Sequence, residues 1–151
     1  SGLINIDQGA RAMYPAYAFV TLRTDGRGTY ELSEQLQRLI AESGITTGIC
    51  HVFIRHTSAS LMLCENADPA VMRDLEAFLS RLVPDGDPLF RHVDEGPDDM
   101  PAHIKASLMG SSLLLPVSRG RLNLGTWQGV YLCEHRDRAS GRHLVLTLQG
   151  A

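Results

Sequence analysis

The stretch LNLGTWQGVYLCEHRDRASGRHLVLTLQ, residues 122–149, decides the fold class. It contains two runs with strand character, residues 122–134 and 143–149, and no helical pattern between them. The turn-forming residues 138–141 between these runs predict a β-hairpin. A chain that mixes helices and strands but ends in consecutive strands indicates an α+β domain with a mainly antiparallel sheet.

Upstream of this stretch, strands and helices are mixed. Further strands are predicted at residues 17–23, 48–56, 60–65 and 112–117, and the run at 48–56 is apolar on both faces, as in a central strand. Three helices are predicted. The first covers residues 32–43 with Ser33 as its N-cap, the second begins after Asp68-Pro69 and ends at Pro84, and the third covers residues 102–109. We therefore predict one α+β domain over residues 1–151, with helices packed on one side of the sheet.

The composition excludes several classes of protein. The chain has 151 residues, a net charge of -3 and no cluster of basic residues, which argues against a nucleic-acid partner. No apolar run is long enough to cross a membrane, and the N-terminus lacks the pattern of a signal peptide. Cys50, Cys64 and Cys133 lie in apolar runs and are expected to be buried thiols of a cytoplasmic protein.

Three of the six histidines are candidates for a metal site. His51 and His56 are five residues apart, so in one strand they point to opposite faces, and His56 stands at the strand end before Thr57 and Ser58. His92 and His103 stand at the two ends of a long loop, residues 83–101. Neutral imidazole is a good zinc ligand, although a pair of histidines alone is a weak signal.

The carboxylates fall into two groups. Glu65 and Glu134 lie on otherwise apolar strand faces, where a carboxylate is costly unless it is paired, so both are candidate site residues. Asp98 and Asp99 are expected to be solvated. The basic residues Arg121, Arg136 and Arg142 either pair with the carboxylates or hold a phosphate, and plain surface charge is the simpler interpretation of each.

Trp127, the only tryptophan, lies in the segment LGTWQG. Core packing is the default interpretation, and a wall on which a ligand stacks is the alternative. The sequence contains no glycine-rich phosphate loop and no nucleophile elbow.

Three long segments resemble the YjbQ-like family: RHTSASLMLCENADP at 55–69, RHVDEGPDDMPAHIKASLMGSSLLLPVSRGRL at 91–122, and LGTWQGVYLCEHRD at 124–137. The resemblance implies a small α+β fold that assembles as a homotrimer, with a site near the subunit boundaries. It also implies a cluster of His56, His92 and His103. Many relatives carry an asparagine in the acidic loop, where this chain has Pro97-Asp98-Asp99.

The resemblance further implies a secondary thiamine-phosphate synthase, which joins a pyrimidine diphosphate to a thiazole phosphate and releases diphosphate. Our first hypothesis is therefore a cytoplasmic metal-dependent enzyme that acts on a small phosphorylated or heteroaromatic molecule. The metal would be zinc, or magnesium with a diphosphate substrate, held by His56, His92 and His103. Glu65 would be the general base, and the pocket would be lined by Thr57, Ser58, Asn66, Trp127 and Glu134.

Two alternatives stay open. The same three ligands leave a position for an activated water, which would make the protein a metal-dependent hydrolase. Otherwise the trimer binds a metabolite or metal without catalysis, and the histidines form a structural cluster. If His92 and His103 bind one metal, residues 93–101 are predicted to form a lid or wall over the site, with Pro97 and Pro101 lowering the entropic cost of ordering it. Glu95, Asp98 and Asp99 would then border the pocket, where they attract a cation or accept hydrogen bonds from the imidazole N–H groups.

Overall fold

The computed structural model describes residues 4–8 and 16–151. Residues 1–3 and 9–15 lie outside the described residues. The prediction that the N-terminus lacks the pattern of a signal peptide falls largely on these residues. The elements, in chain order, are β1 (Ile4–Gln8), β2 (Ala16–Arg23), β3 (Gly28–Glu31), α1 (Ser33–Ser43), β4 (Thr47–Ile54), β5 (Ala59–Glu65), α2 (Pro69–Leu82), α3 (Asp99–Met109), β6 (Ser112–Ser118), β7 (Arg121–Leu122), β8 (Gln128–Glu134) and β9 (Gly141–Gly150).

The strands form two antiparallel sheets. One has the order β1-β2-β9-β4-β6-β7, and the other has the order β3-β8-β5. Their facing sides enclose the core, where Val52 and Leu146 of the larger sheet and Leu132 of the smaller sheet are buried. Helix α1 adds Leu36 and Ile40 to this core. The α+β class with antiparallel strands is confirmed.

The predicted terminal hairpin is wrong. β8 pairs with β3 and β5, whereas β9 pairs with β2 and β4, so the two strands belong to different sheets. Residues 135–140 carry the chain from one sheet to the other. A strand whose two edges are both hydrogen-bonded elsewhere has no edge left for its neighbour in sequence. The predicted strand 122–134 is also interrupted between β7 and β8.

The start of α2 agrees with the prediction, whereas the starts of α1 and α3 differ from it. Asp68 caps α2 by accepting from the Ala70 N–H at 2.9 Å, with Pro69 in the first turn, as predicted. Ser33 does not cap α1, because its hydroxyl donates to Glu31 and accepts from the Val130 N–H of β8. Helix α3 begins three residues before the predicted start, since the Ala102 N–H already bonds the Asp98 carbonyl.

The outward face of the larger sheet carries apolar side chains. β4 lies between β9 and β6, which confirms its central position, and its inward residues Cys50, Val52 and Ile54 are buried. Its outward Phe53 is 40% exposed, and Phe19, Ile49 and Leu114 are also exposed on this sheet. Helices α2 and α3 lie at the outer side of the smaller sheet, where Met109 contacts Ser60 of β5. Within the described residues no helix is long and apolar enough to cross a bilayer.

Candidate metal centre and adjoining pocket

Two imidazoles converge on one carboxylate oxygen. Nε2 of His92 lies 2.7 Å from Oδ2 of Asp99, and Nε2 of His103 lies 3.0 Å from the same oxygen. Within the described part of the chain, one ligand atom from each of these three residues lies within 4.8 Å of the others. The structure thus brings together the two histidines that bracket the acidic loop, along with an aspartate that was expected to be solvated.

The first turn of α3 positions two of these three residues. Asp99 and His103 are four residues apart, so they share one face of the helix. Pro101 is tolerated here because the first turn of a helix has no intrahelical partners for its N–H groups. His92 reaches the same point from the loop that precedes the helix.

The tautomer of His103 suits metal binding. Nδ1 of His103 lies 2.9 Å from the carbonyl oxygen of Thr57, which accepts but cannot donate. Nδ1 therefore carries a proton. The contact of Nε2 with Asp99 is a hydrogen bond when Nε2 is protonated as well, and loss of that second proton leaves the lone pair of Nε2 directed toward Asp99, where a metal would sit. A backbone carbonyl that fixes the proton on the far nitrogen is the usual support of a metal-ligating histidine.

Arg136 holds the acidic end of α3. Its guanidinium donates from Nε to Asp98 at 2.9 Å, from Nη1 to Asp99 at 2.7 Å, and from Nη2 to the carbonyl of Glu95. Burial raises the pKa of the Asp98 carboxyl, but the hydrogen bond and charge of Arg136 outweigh it and lower that pKa to about 2. Burial likewise opposes ionisation of Asp99, yet its hydrogen bonds and the charges of His103 and Arg136 lower the pKa of Asp99.

The expectation that Asp98 and Asp99 are solvated is therefore wrong. They are 3% and 1% exposed. Sequence reasoning treated them as loop residues because the helix was predicted to begin after them. In the fold they face a buried arginine from the end of β8, and this pairing makes their burial tolerable.

His56 does not join this group. Its Nε2 accepts a hydrogen bond from the backbone N–H of His143 at 2.8 Å, so that nitrogen's lone pair is already used. Burial lowers the pKa of His56, and the charge of Arg142 lowers it further, so the ring is neutral and carries its proton on Nδ1. In this arrangement neither nitrogen offers a lone pair to a metal, and Asp99 stands where the third histidine was predicted.

His56 instead lines a pocket next to the cluster. The pocket has a volume of about 300 Å³, and its walls include Thr57, His103, Ser107 and Ser111. Thr57 lies in this wall, and its contact with a substrate stays a prediction. Because His103 belongs both to the cluster and to this wall, the cluster and the pocket adjoin at His103.

A buried ionic network lies behind the pocket. Arg142 donates from Nε to Glu134 at 2.9 Å and from Nη2 to Glu134 and to the hydroxyl of Ser58. Glu134 is fully buried and also accepts from Thr24. Glu134 and Ser58 were predicted to bind substrate, but in this chain their polar atoms are engaged with Arg142.

The remaining predicted site residues lie at the other end of β5. Glu65 accepts from the Asp68 N–H, and the Asn66 N–H bonds the Trp127 carbonyl. The seven residues of β5 span roughly 20 Å, so the chain does not bring Glu65, Asn66 and Trp127 to the histidines. Trp127 is 62% exposed, so the core-packing interpretation is wrong.

The three ligands fit a transition metal. Ligand atoms bonded at about 2.0–2.1 Å to a tetrahedral ion lie roughly 3.3 Å apart. The two distances to Asp99, 2.7 and 3.0 Å, would therefore need to open by about 0.6 and 0.3 Å. Two imidazoles and one carboxylate suit zinc better than magnesium, which prefers oxygen ligands.

Fold and site together define a small α+β protein with two antiparallel sheets and a two-histidine, one-aspartate cluster. The model of the UPF0047 protein YjbQ-like family matches residues 18–151. The chain belongs to this family.

Relatives share the sequence over most of their length. A UPF0047 protein of Synechocystis is 46% identical over 131 residues, covering 87% of this chain and 89% of that protein. The UPF0047 protein YjbQ of Escherichia coli O157:H7 is 45% identical over 132 residues, covering 87% of this chain and 95% of that protein.

Solved structures share the fold. An uncharacterised YjbQ/UPF0047 protein of Clostridium acetobutylicum is 35% identical with a TM-score of 0.79, covering 86% of this chain and 98% of that one. A conserved hypothetical protein of Thermus thermophilus is 34% identical with a TM-score of 0.78, with the same coverage.

Proposed function

We propose that this protein is an enzyme that holds a divalent transition metal, zinc in the first instance, between His92, Asp99 and His103. The observation that carries the proposal is the convergence of two imidazole Nε2 atoms on Oδ2 of Asp99. Two hydrogen bonds orient two of the proposed ligands before a metal binds. Nδ1 of His103 donates to the carbonyl of Thr57, and Arg136 donates to Asp99. Such preorganisation favours binding.

The substrate proposed for this centre is a small phosphorylated or heteroaromatic molecule in the adjoining pocket. When bound, a zinc ion with three protein ligands has a position open for water or a substrate oxygen. The protein side chains would then hold and orient the substrate: His103 borders the pocket from the metal side, while His56 and Ser111 form other parts of its wall.

Thiamine-phosphate synthesis is the candidate activity that the family resemblance suggests, and metal-assisted hydrolysis is the second candidate. One observation favours the second. Arg136 and Arg142 are both committed to buried carboxylates, so neither has a guanidinium face free to neutralise a leaving diphosphate. Incubating the zinc-loaded protein with the pyrimidine diphosphate and thiazole phosphate separates the candidates. A condensed product with release of diphosphate supports the synthase. Release of inorganic phosphate when either substrate is incubated alone supports hydrolysis.

Metal content tests the common part of both candidates. We expect purified, metal-stripped protein to take up one zinc per chain in equilibrium dialysis. Loss of a residue that hydrogen-bonds a metal ligand typically weakens metal binding roughly 10- to 100-fold. Asp99→Asn changes a proposed ligand itself, so it should weaken zinc binding by more than this. Asp94→Asn is the matched control, since Asp94 is an exposed residue of the same loop. Equal zinc affinity in the Asp99 variant and the wild type would refute the centre.

We further propose that the protein works as a homotrimer. The support is the outward face of the larger sheet, where neighbouring strands place Phe19, Val145 and Phe53 in one row. An antiparallel sheet can expose one face to water, but the side chains on that face are then normally polar. An apolar row in its place favours burial against another subunit.

A further inference from the structure

The ring of His56 is fixed at the end of a β-ladder. The pairing of β4 with β9 ends at Ile54 and Leu144, and the next N–H, of Arg55, bonds the carbonyl of His143. Where the ladder would continue, the His143 N–H donates instead to Nε2 of His56 at 2.8 Å. The two imidazoles also stack, with centroids 5.5 Å apart and planes at 20°.

This backbone contact selects one tautomer. An amide N–H is always a donor, so Nε2 of His56 is always the acceptor and the neutral ring must carry its proton on Nδ1. Within the described residues no protein group accepts a hydrogen bond from Nδ1. The half-buried ring lines the 300 Å³ pocket beside His103, so Nδ1–H is the donor that this ring has left for a ligand there.

We infer that Nδ1–H of His56 donates a hydrogen bond to an oxyanion group, a phosphoryl or a carboxylate, of a small molecule held in the pocket between His56 and His103. The inference rests on the proposed metal centre for the other end of the molecule. It assigns His56 to the substrate rather than to the metal.

The charge balance favours an anion. The carboxylate of Glu134 neutralises Arg142 behind the pocket, and Asp98 and Asp99 face Arg136. These three carboxylates and two guanidinium groups sum to a net charge of −1, which a divalent cation would change to +1. An oxyanion that accepts a hydrogen bond from the neutral Nδ1–H of His56 would therefore also be attracted by the positive charge of the metal centre.

Two substitutions separate the donor from a purely structural role. His56→Asn places an amide N–H₂ near the position of Nδ1, whereas His56→Gln reaches the position of Nε2 and can keep the contact with the His143 N–H. If His56 acts through Nδ1, zinc-loaded His56→Asn should bind the anion within about threefold of the wild type. His56→Gln should then lose roughly tenfold or more, as expected for a hydrogen bond to a charged group.

The probes are inorganic phosphate and acetate, each titrated by calorimetry into zinc-loaded protein, and the tighter of the two identifies the anion class. Long-range ¹H–¹⁵N spectra of the metal-free protein should show His56 protonated on Nδ1. Protonation on Nε2, full affinity in His56→Gln, or no binding of either anion by the wild type would overturn the inference.

Zinc content is measured on the same samples, which keeps the two proposals separable. Normal zinc uptake with unchanged anion binding in His56→Gln refutes only the role of His56. A wild type that takes up no zinc refutes the metal centre. In that case phosphate is titrated into the metal-free protein, where a shift of the Nδ1–H resonance supports the donor and its absence overturns it.

Discussion

Nη1 of Arg136 lies 2.7 Å from Oδ1 of Asp99, on the opposite side of the carboxylate from Oδ2, which faces His92 and His103. The guanidinium is a rigid fork, so it fixes the plane of this carboxylate as well as its charge. The orientation of the candidate metal ligand on α3 is therefore set by a residue that closely follows β8.

Replacing Arg136 should weaken the metal centre without touching a ligand. Arg136→Lys keeps the charge but loses the fork, so we expect zinc affinity to fall by roughly 10- to 100-fold. Competition with a chromophoric chelator measures the change. Arg138→Lys, at an exposed position two residues further on, is the control and should bind zinc as the wild type does. Unchanged affinity in the Arg136 variant would mean that Asp99 is oriented by other contacts.

Stability should depend on the protonation of His135. Burial, with the charge of Lys105 adding to it, lowers the pKa of His135 from 6.5 to about 4. Between these values the unfolded state binds more protons, so stability is complete above pH 6.5 and falls as pH drops to about 4. The expected loss is roughly 3 kcal/mol.

Urea unfolding at several pH values tests this dependence. His135→Asn removes the titrating group at a position where His135 contacts the hydroxyl of Ser60. The difference in stability between variant and wild type should therefore shrink as the pH falls from 6.5 toward 4. A difference that stays constant over this range would show that His135 does not titrate as described.

The buried pair of Glu134 and Arg142 should be a major stabilising contact. Glu134→Gln leaves the guanidinium of Arg142 without its counter-charge, which typically costs about 3–5 kcal/mol. Glu65→Gln is the matched control, since Glu65 is half-buried and accepts one backbone hydrogen bond, so it should cost about 1 kcal/mol or less. Chemical denaturation of both variants gives the comparison, and equal losses would contradict the ranking.

Charge on the outward face of the larger sheet should prevent assembly. We expect the wild type to be a trimer in light scattering and Phe53→Glu to be a monomer, because a buried carboxylate without a partner opposes association. Leu89→Glu is the control, since Leu89 is exposed in the loop after α2. A wild type that stays monomeric at micromolar concentration would refute the trimer, and a trimeric Phe53 variant would refute this face as the interface.

Metal removal should expose one part of the acidic loop to proteolysis. Arg136 holds Glu95, Asp98 and Asp99 by contacts that need no metal, whereas the exposed His92 is restrained by its contact with Asp99 at the cluster. Trypsin should therefore cleave after the exposed Arg91 faster when the metal is chelated, while cleavage after Arg138 stays unchanged. Equal rates after Arg91 with and without chelator would show that the metal does not restrain His92.

The sequence predicted features whose signals lie in consecutive residues. The start of α2 at Asp68-Pro69, the central position of β4 and the α+β class follow from capping chemistry and the period of apolar residues. The closeness of His92 and His103 also followed from a local argument, because both residues bracket one loop. Their ring centroids lie 5.4 Å apart.

Only the tertiary structure decided which residues meet across the chain. The pairing of β8 and β9 with other strands depends on two sheets competing for edges, and turn residues at 138–141 carry no information about that competition. The position of Asp99 beside the two histidines depends on Arg136, which is 37 residues away in sequence, and the separate position of His56 depends on the backbone of His143, which is 87 residues away. Burial turns these distant contacts into strong ones, because a carboxylate or imidazole removed from water must take its hydrogen bonds from whatever the fold places beside it.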